Sequence, residues 1–240
     1  MLWISHRGES HDAPENTMRA FRLAWERGTD GIELDIRLTA DGQVVCVHDA
    51  DTERVGDKKL VIAEENFEAL SQVDVGQGEK IPLLSQVLAE APAGKIVYIE
   101  IKAGAAILSP LREVIKNSPA RIEDLYIIDF KNENLKACKK LLPNIKSYLL
   151  SGVKVDDQTK KLTPSPDDLL ALVEESKAEG FDLSACEKIT KEFLTELRVN
   201  DAEIAVWTID DLDLAKFFMR LGVDAITSNR AAYLRQNLEL

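Results

Sequence analysis

Short extended runs recur along this 240-residue chain, and a helical stretch follows each of them. The spacing predicts strands at Leu2–His6, in a run ending at Ile36, and at Lys95–Ile101, Leu125–Phe130, Ile145–Leu150, Phe181–Ser184, Glu203–Ile209 and Asp224–Thr227; a last helix is predicted over Ala231–Asn237. A tight turn joins antiparallel neighbours, whereas parallel ones need a crossover, so regular strand–helix alternation predicts a parallel sheet covered by helices. Eight such units, in a chain near the typical length of about 250 residues, predict an α/β fold closed as a (β/α)8 or TIM barrel. An open doubly wound sheet is the competing architecture, but no Gly-x-Gly-x-x-Gly loop follows any of the runs. Residues 1–240 are therefore expected to form a single TIM-barrel domain. The stretch from about 50 to 80 breaks the rhythm. It is polar and glycine-containing, carries one helical patch from Asn66 to Val73, and is longer than the links elsewhere, which marks a small insertion after the second strand and its hairpin.

That hairpin is the second signal. Gly31-Ile-Glu-Leu-Asp35 leads through Asp41-Gly42 to Val44-Val-Cys-Val-His48. Side chains alternate along a strand, so Glu33 and Asp35 share one face while Leu34 and Ile36 take the other. Asp-Gly between two extended runs marks a tight hairpin turn. With Asp41 and Gly42 as a two-residue loop, Ala40 pairs with Gln43 and Asp35 lies opposite His48. The return strand Val44–His48 then forms a ribbon above the barrel mouth. Upstream, Pro14-Glu-Asn-Thr17 is expected to open the first helix.

Barrels of this kind gather their chemistry at the C-terminal strand ends. Those ends bring His6 and Arg7 from the first strand, Glu33 and Asp35 from the second, and Glu100 and Lys102 from the third; His48 arrives from the hairpin. Singly, each has an ordinary reading: a lone histidine satisfied in the core, or a Glu–Lys pair compensating charge. His11 sits in a polar loop, Asp210-Asp211 starts a helix, and Trp207 suits barrel packing as well as ligand contact. Together, several inward charges at one mouth are costly unless they serve a site. Three carboxylates without cysteine suit one hard divalent cation, Mg²⁺ or Ca²⁺. Arg7 and Lys102 would grip a phosphate, and two histidines would move protons. The combination describes metal-assisted phosphodiester hydrolysis.

Composition narrows the partners. A net charge of −12 argues against nucleic acid or an anionic membrane surface. No apolar run approaches the roughly 20 residues that span a bilayer, so stable membrane insertion is not expected. The first residues show no secretory signal, and three widely spaced cysteines read as free thiols; both fit a reducing, cytoplasmic setting. The expected partner is a small-molecule phosphodiester. No oligomer interface is identifiable.

The chain resembles the glycerophosphodiester phosphodiesterase family in His6-Arg-Gly8, Pro14-Glu-Asn-Thr17, Gly31-Ile-Glu-Leu-Asp35, Leu38-Thr-Ala-Asp-Gly42, His48-Asp49, Ile81-Pro-Leu-Leu84, Ile99-Glu-Ile-Lys102 and Val206-Trp-Thr208. The strings keep their order over most of the chain and are jointly specific. The resemblance implies a (β/α)8 barrel, a divalent cation held by Glu33, Asp35 and Glu100, and His6 and His48 as the acid–base pair. It implies Arg7 and Lys102 on phosphate and Trp207 lining the alcohol pocket, in an enzyme that releases glycerol 3-phosphate and an alcohol from deacylated phospholipids. The chain departs from the family's pattern at Ala50-Asp51-Thr52, where Pro-Thr-Leu is usual, at Asp210, where Asn is usual, and at Ser228-Asn229-Arg230, where Asp-x-Pro is usual. Two other readings remain: a lysophospholipase D-like phosphodiesterase, and a non-catalytic barrel that keeps a metal pocket.

Overall fold

The structure, a computed structural model, describes residues 1–238. Eight strands, β1 (Leu2–His6), β2 (Gly31–Leu38), β3 (Ile96–Ile101), β4 (Leu125–Asp129), β5 (Lys146–Ser151), β6 (Gly180–Ser184), β7 (Glu203–Trp207) and β8 (Ala225–Ser228), pair in parallel in chain order. β8 returns to β1, with Leu2 opposite Ala225 and Ser5 opposite Ser228, and this pairing closes the barrel. The links carry α1 (Met18–Glu26), α2 (Leu84–Glu90), α3 (Leu108–Asn117), α4 (Asn132–Leu141), α5 (Pro166–Ser176), α6 (Lys191–Leu197), α7 (Leu212–Leu221) and, last, α8 (Ala231–Leu238). Among the described residues no helix is long and apolar enough to cross a membrane.

Period-two alternation sorts the core into two layers. Leu34, Ile36, Ile99, Ile101, Leu183 and Val206 face outward onto apolar helix residues such as Phe21, Leu111 and Phe218. Ile4, Tyr98, Tyr126, Ile128, Tyr148, Leu150, Ala205 and Ala225 fill the barrel. The rings of Tyr98, Tyr126 and Tyr148 sit 5.2 to 5.7 Å apart in tilted and edge-on contacts. Below them Lys146 pairs with Glu203 at 2.9 Å. Packed in this way the barrel is no pore, and polar chemistry is left to its upper end.

Two local expectations are corrected. Helix α1 begins at Met18, not at Pro14, and Thr17 is its N-cap, accepting from the Ala20 amide at 3.2 Å. Asn16 has φ +55°, which a helix does not admit, and so residues 14–17 form a turn. The hairpin also differs by one residue. Ile36 pairs with Cys46 and Leu38 with Val44, which places Asp35 opposite Val47 rather than His48. The loop is Ala40-Asp41-Gly42, closed by Thr39 and Gln43, with Gly42 in the left-handed region at φ +78°. The return strand is only Val44–Cys46. Continued regularly, it would turn His48 to the wrong face; the chain leaves the sheet after Cys46 instead.

The insertion folds onto this hairpin. Val45, Val47, Ile62, Leu70, Val73, Val75 and Ile81 make a separate apolar cluster, and the predicted helical patch shortens to Phe67–Leu70. A small antiparallel ribbon, Lys154–Val155 with Leu162–Thr163, follows β5 and was not expected.

Candidate active site

Strand register assembles the site. His6 on β1 lies opposite Glu33 on β2, and Asp35 lies opposite Glu100 on β3. All four point inward by alternation, at the C-terminal ends of three adjacent strands. One oxygen from each of Glu33, Asp35 and Glu100 falls within 4.8 Å of the others. His6, Arg7, Glu33, His48, Glu100, Lys102 and Trp207 line one cavity of about 240 Å³, and Asp35, fully buried, adjoins it. The eight residues expected from the sequence are thus together, His48 by a different route from the one expected.

The carboxylates are partly compensated. Lys102 Nζ lies 2.5 Å from Glu100 Oε1 and 3.3 Å from Asp35 Oδ1, and Arg7 Nε is 3.2 Å from Asp35 Oδ2. The Arg7 amide donates to Glu33 Oε2 at 2.9 Å. Gly8 makes this tight loop possible: it sits at φ +78°, and a Cβ there would lie 2.6 Å from the Ala20 backbone. Glu33 Oε1 is buried without a hydrogen-bond donor, and Asp35 Oδ1 has only the Lys102 ammonium beside it, with no hydrogen bond of good geometry. Under-satisfied oxygens in an acidic cluster fit a hard cation, and Glu33, Asp35 and Glu100 are the residues that could hold one. Burial, reinforced by Asp35 and Glu100, holds Glu33 well above the usual carboxylate range. Burial and then Asp35 push Glu100 up to about 7, against the pull of Lys102.

Both histidines have one nitrogen engaged. His6 Nδ1 is 2.7 Å from Asn229 Oδ1, and His48 Nδ1 is 2.6 Å from Asp49 Oδ1. Burial, and after it Arg7, lowers the His6 pKa, which keeps that ring neutral at pH 7. Burial works against the Asp49 charge, but hydrogen bonds from Arg54 and His48 bring its pKa down to about 2. Arg54 also pairs with Glu15, which in turn holds Arg7 at 3.0 Å. Arg37 donates to the backbone oxygens of His48 and Lys102 and so ties the hairpin to β3.

Other residues belong to the site without having been picked out for it. Asn16 clamps Asp35, donating to Oδ2 at 2.8 Å and accepting from its amide at 3.1 Å. Its signal lay in Pro14-Glu-Asn-Thr17, a helix start and a string of the resemblance to which no site role was attached. Phe130 packs edge-on against Trp207, with centroids 5.8 Å apart, and both line the cavity. Asp182 lines it as well, 1 % exposed, with Oδ1 lacking a donor; an inward carboxylate between Phe181 and Leu183 was the available signal. Of the pair Asp210-Asp211, Asp211 caps α7 and Asp210 turns to the end of β8 instead. It accepts from Ser228 and from Asn229.

The family model that matches the chain is that of the glycerophosphoryl diester phosphodiesterase family, over residues 6–232. A glycerophosphodiester phosphodiesterase of Caldanaerobacter subterraneus subsp. tengcongensis is 29% identical over 240 residues, 95% of this chain and 93% of that protein. One from Bacillus altitudinis is 28% identical, with 98% of each chain covered. Among solved structures, a glycerophosphodiester phosphodiesterase from Thermotoga maritima superposes with a TM-score of 0.82 at 25% identity, covering 99% of this chain and 98% of that one. An Oleispira antarctica phosphodiesterase in complex with its product sn-glycerol-3-phosphate shares the fold, with a TM-score of 0.87 at 23% identity, covering 99% and 96%.

Proposed function

We propose that this chain, which belongs to the glycerophosphoryl diester phosphodiesterase family, hydrolyses glycerophosphodiesters to glycerol 3-phosphate and an alcohol with His6 and His48 as its acid–base pair. The observation that carries this reading is a pair of imidazoles on one cavity, each with Nδ1 engaged, beside three converging carboxylates. Glu33, Asp35 and Glu100 would hold one Mg²⁺ or Ca²⁺, which when bound supplies Lewis-acid polarisation of a phosphoryl oxygen.

His6 is neutral and acts as the base. It takes the proton of the attacking hydroxyl, either that of water or that on the neighbouring glycerol carbon. His48 gives a proton to the leaving alkoxide, and Asp49 balances the charge of its imidazolium, as the carboxylate of a hydrolase triad does for its histidine. Arg7 and Lys102 orient the phosphate and offset its charge. Phe130 and Trp207 offer an apolar wall to the alcohol. The cysteines are all free, Cys46 and Cys138 buried, which supports a reducing compartment such as the cytoplasm.

Phosphorus NMR with glycerophosphoethanolamine and glycerophosphocholine, under Mg²⁺, Ca²⁺ or excess chelator, tests the reading. Glycerol 3-phosphate should form with cation and not with chelator, and a transient cyclic phosphate would identify the glycerol hydroxyl as nucleophile. His6→Ala and His48→Ala should each abolish turnover with an unchanged circular dichroism spectrum. Near-normal turnover in either variant would remove that histidine from the mechanism.

A further inference from the structure

The two departures from the family's pattern near the end of the chain meet in space, behind His6. Asp210 Oδ2 lies 2.6 Å from Asn229 Nδ2, while Asp210 Oδ1 accepts from the Asn229 amide at 2.8 Å and from Ser228 Oγ at 2.9 Å. Asn229 Oδ1 faces His6 Nδ1 at 2.7 Å, and Ser10 Oγ lies 2.9 Å from the same oxygen. We propose that Asp210, acting through Asn229, is a positioning residue that fixes the tautomer of His6, with the proton on Nδ1 and the lone pair of Nε2 turned to the cavity.

The argument is one of donors and acceptors. An ionised carboxylate can only accept, so the Asn229 atom that touches Asp210 must be the amide nitrogen. Turning the amide over would set its oxygen against the carboxylate and leave both without a hydrogen. The oxygen therefore faces His6. An amide oxygen also only accepts, so in the neutral ring Nδ1 must carry the hydrogen and Nε2 cannot. Glu33 does not reverse this choice, because its nearest oxygen is 3.9 Å from Nε2, beyond hydrogen-bond range. Asp210 does not line the cavity; it reaches His6 through the Asn229 side chain, while its bonds to the Asn229 amide and Ser228 Oγ hold the backbone that carries that side chain.

The inference rests on His6 as the proton acceptor, and the test separates the two ideas. The chain has three histidines, so long-range proton–nitrogen correlation spectra of histidine-labelled protein, assigned with His11→Gln and His48→Gln, report the His6 tautomer directly. The wild-type spectrum should show hydrogen on Nδ1. Asp210→Ala should mix the tautomers and lower kcat about tenfold or more, by analogy with other groups that orient a functional imidazole, with KM little changed. Asp210→Asn, with its oxygen held by the Asn229 amide and Ser228, would set its own NH2 against Asn229 Nδ2, favour the flipped Asn229 and so also disturb the Nδ1 tautomer. A wild-type ring protonated on Nε2 overturns the proposal even if no variant folds. So does an Asp210→Ala protein with a pure Nδ1 tautomer and unchanged kcat. A ring protonated on Nδ1 in an enzyme whose His6→Gln variant stays active supports the positioning and removes His6 from catalysis.

Discussion

Asp182 is a costly residue at its position. It is buried among Leu150, Ala205 and the tyrosines of the barrel interior, with one oxygen lacking a donor. Burial, and after it Glu100, pushes its pKa well above the usual carboxylate range, which favours the neutral acid. Between the unfolded and folded pKa values the folded chain binds the extra proton, and stability therefore falls as pH rises, by at most about 1.4 kcal/mol per unit. Asp182→Asn imitates the neutral acid and removes that slope. Its melting temperature should match or exceed the wild type near pH 4, and its advantage should widen towards pH 8. A constant difference across that range would mean that Asp182 does not change protonation between the two states. Replacement by Asn should also leave turnover near wild type, since the shape and one donor survive.

At the scale of elements, the strands that carry the site were legible and the segments that trim it were not. Glu33, Asp35, Glu100 and Lys102 follow from period-two alternation alone, because a parallel barrel strand has one wet end and one packed face. His48 was placed at the mouth by a register that the three-residue loop at Ala40-Asp41-Gly42 shifts by one; it arrives because the return strand stops at Cys46. Asn229 and His6 are 223 positions apart and meet only when β8 closes on β1, a contact that no local pattern carries. Asn16 was hidden by its neighbours. Pro14 and Thr17 are both helix-start residues, and only the positive φ at Asn16 reveals a turn aimed at Asp35. That turn is testable. Asn16→Ala removes both hydrogen bonds to Asp35, and by the behaviour of residues that orient metal ligands it should weaken cation binding about 10- to 100-fold. Titration calorimetry with Mg²⁺ or Ca²⁺ measures this without substrate, and an unchanged affinity would restrict Asn16 to shaping the turn before α1.

For the whole molecule the governing fact is sign. A chain of net charge −12 is proposed to bind an anionic diester in a cavity where the carboxyl groups of Glu33, Asp35, Glu100 and Asp182 outnumber Arg7 and Lys102. Both cations are already committed, Lys102 to Glu100 and Asp35, Arg7 to Asp35 and Glu15. A phosphate meeting this site bare would face repulsion from carboxylates that are largely buried, where charges act more strongly than in open water. A divalent cation on the carboxylates inverts the local field and frees Arg7 and Lys102 to turn towards the anion. Binding should therefore be ordered in energy, with cation and anion each favouring the other by the same factor. Thermal unfolding reads this without catalysis. A cation at a hundredfold excess over its dissociation constant stabilises the fold by about 2.7 kcal/mol, which at roughly 2–4 °C per kcal/mol for a domain of this size raises Tm by about 5–10 °C. Glycerol 3-phosphate should give no shift in chelator and a further shift once the cation is present, larger than the sum of the two alone. An equal shift with and without chelator would mean that Arg7 and Lys102 suffice for the phosphate, and the carboxylates would then need another reason to converge.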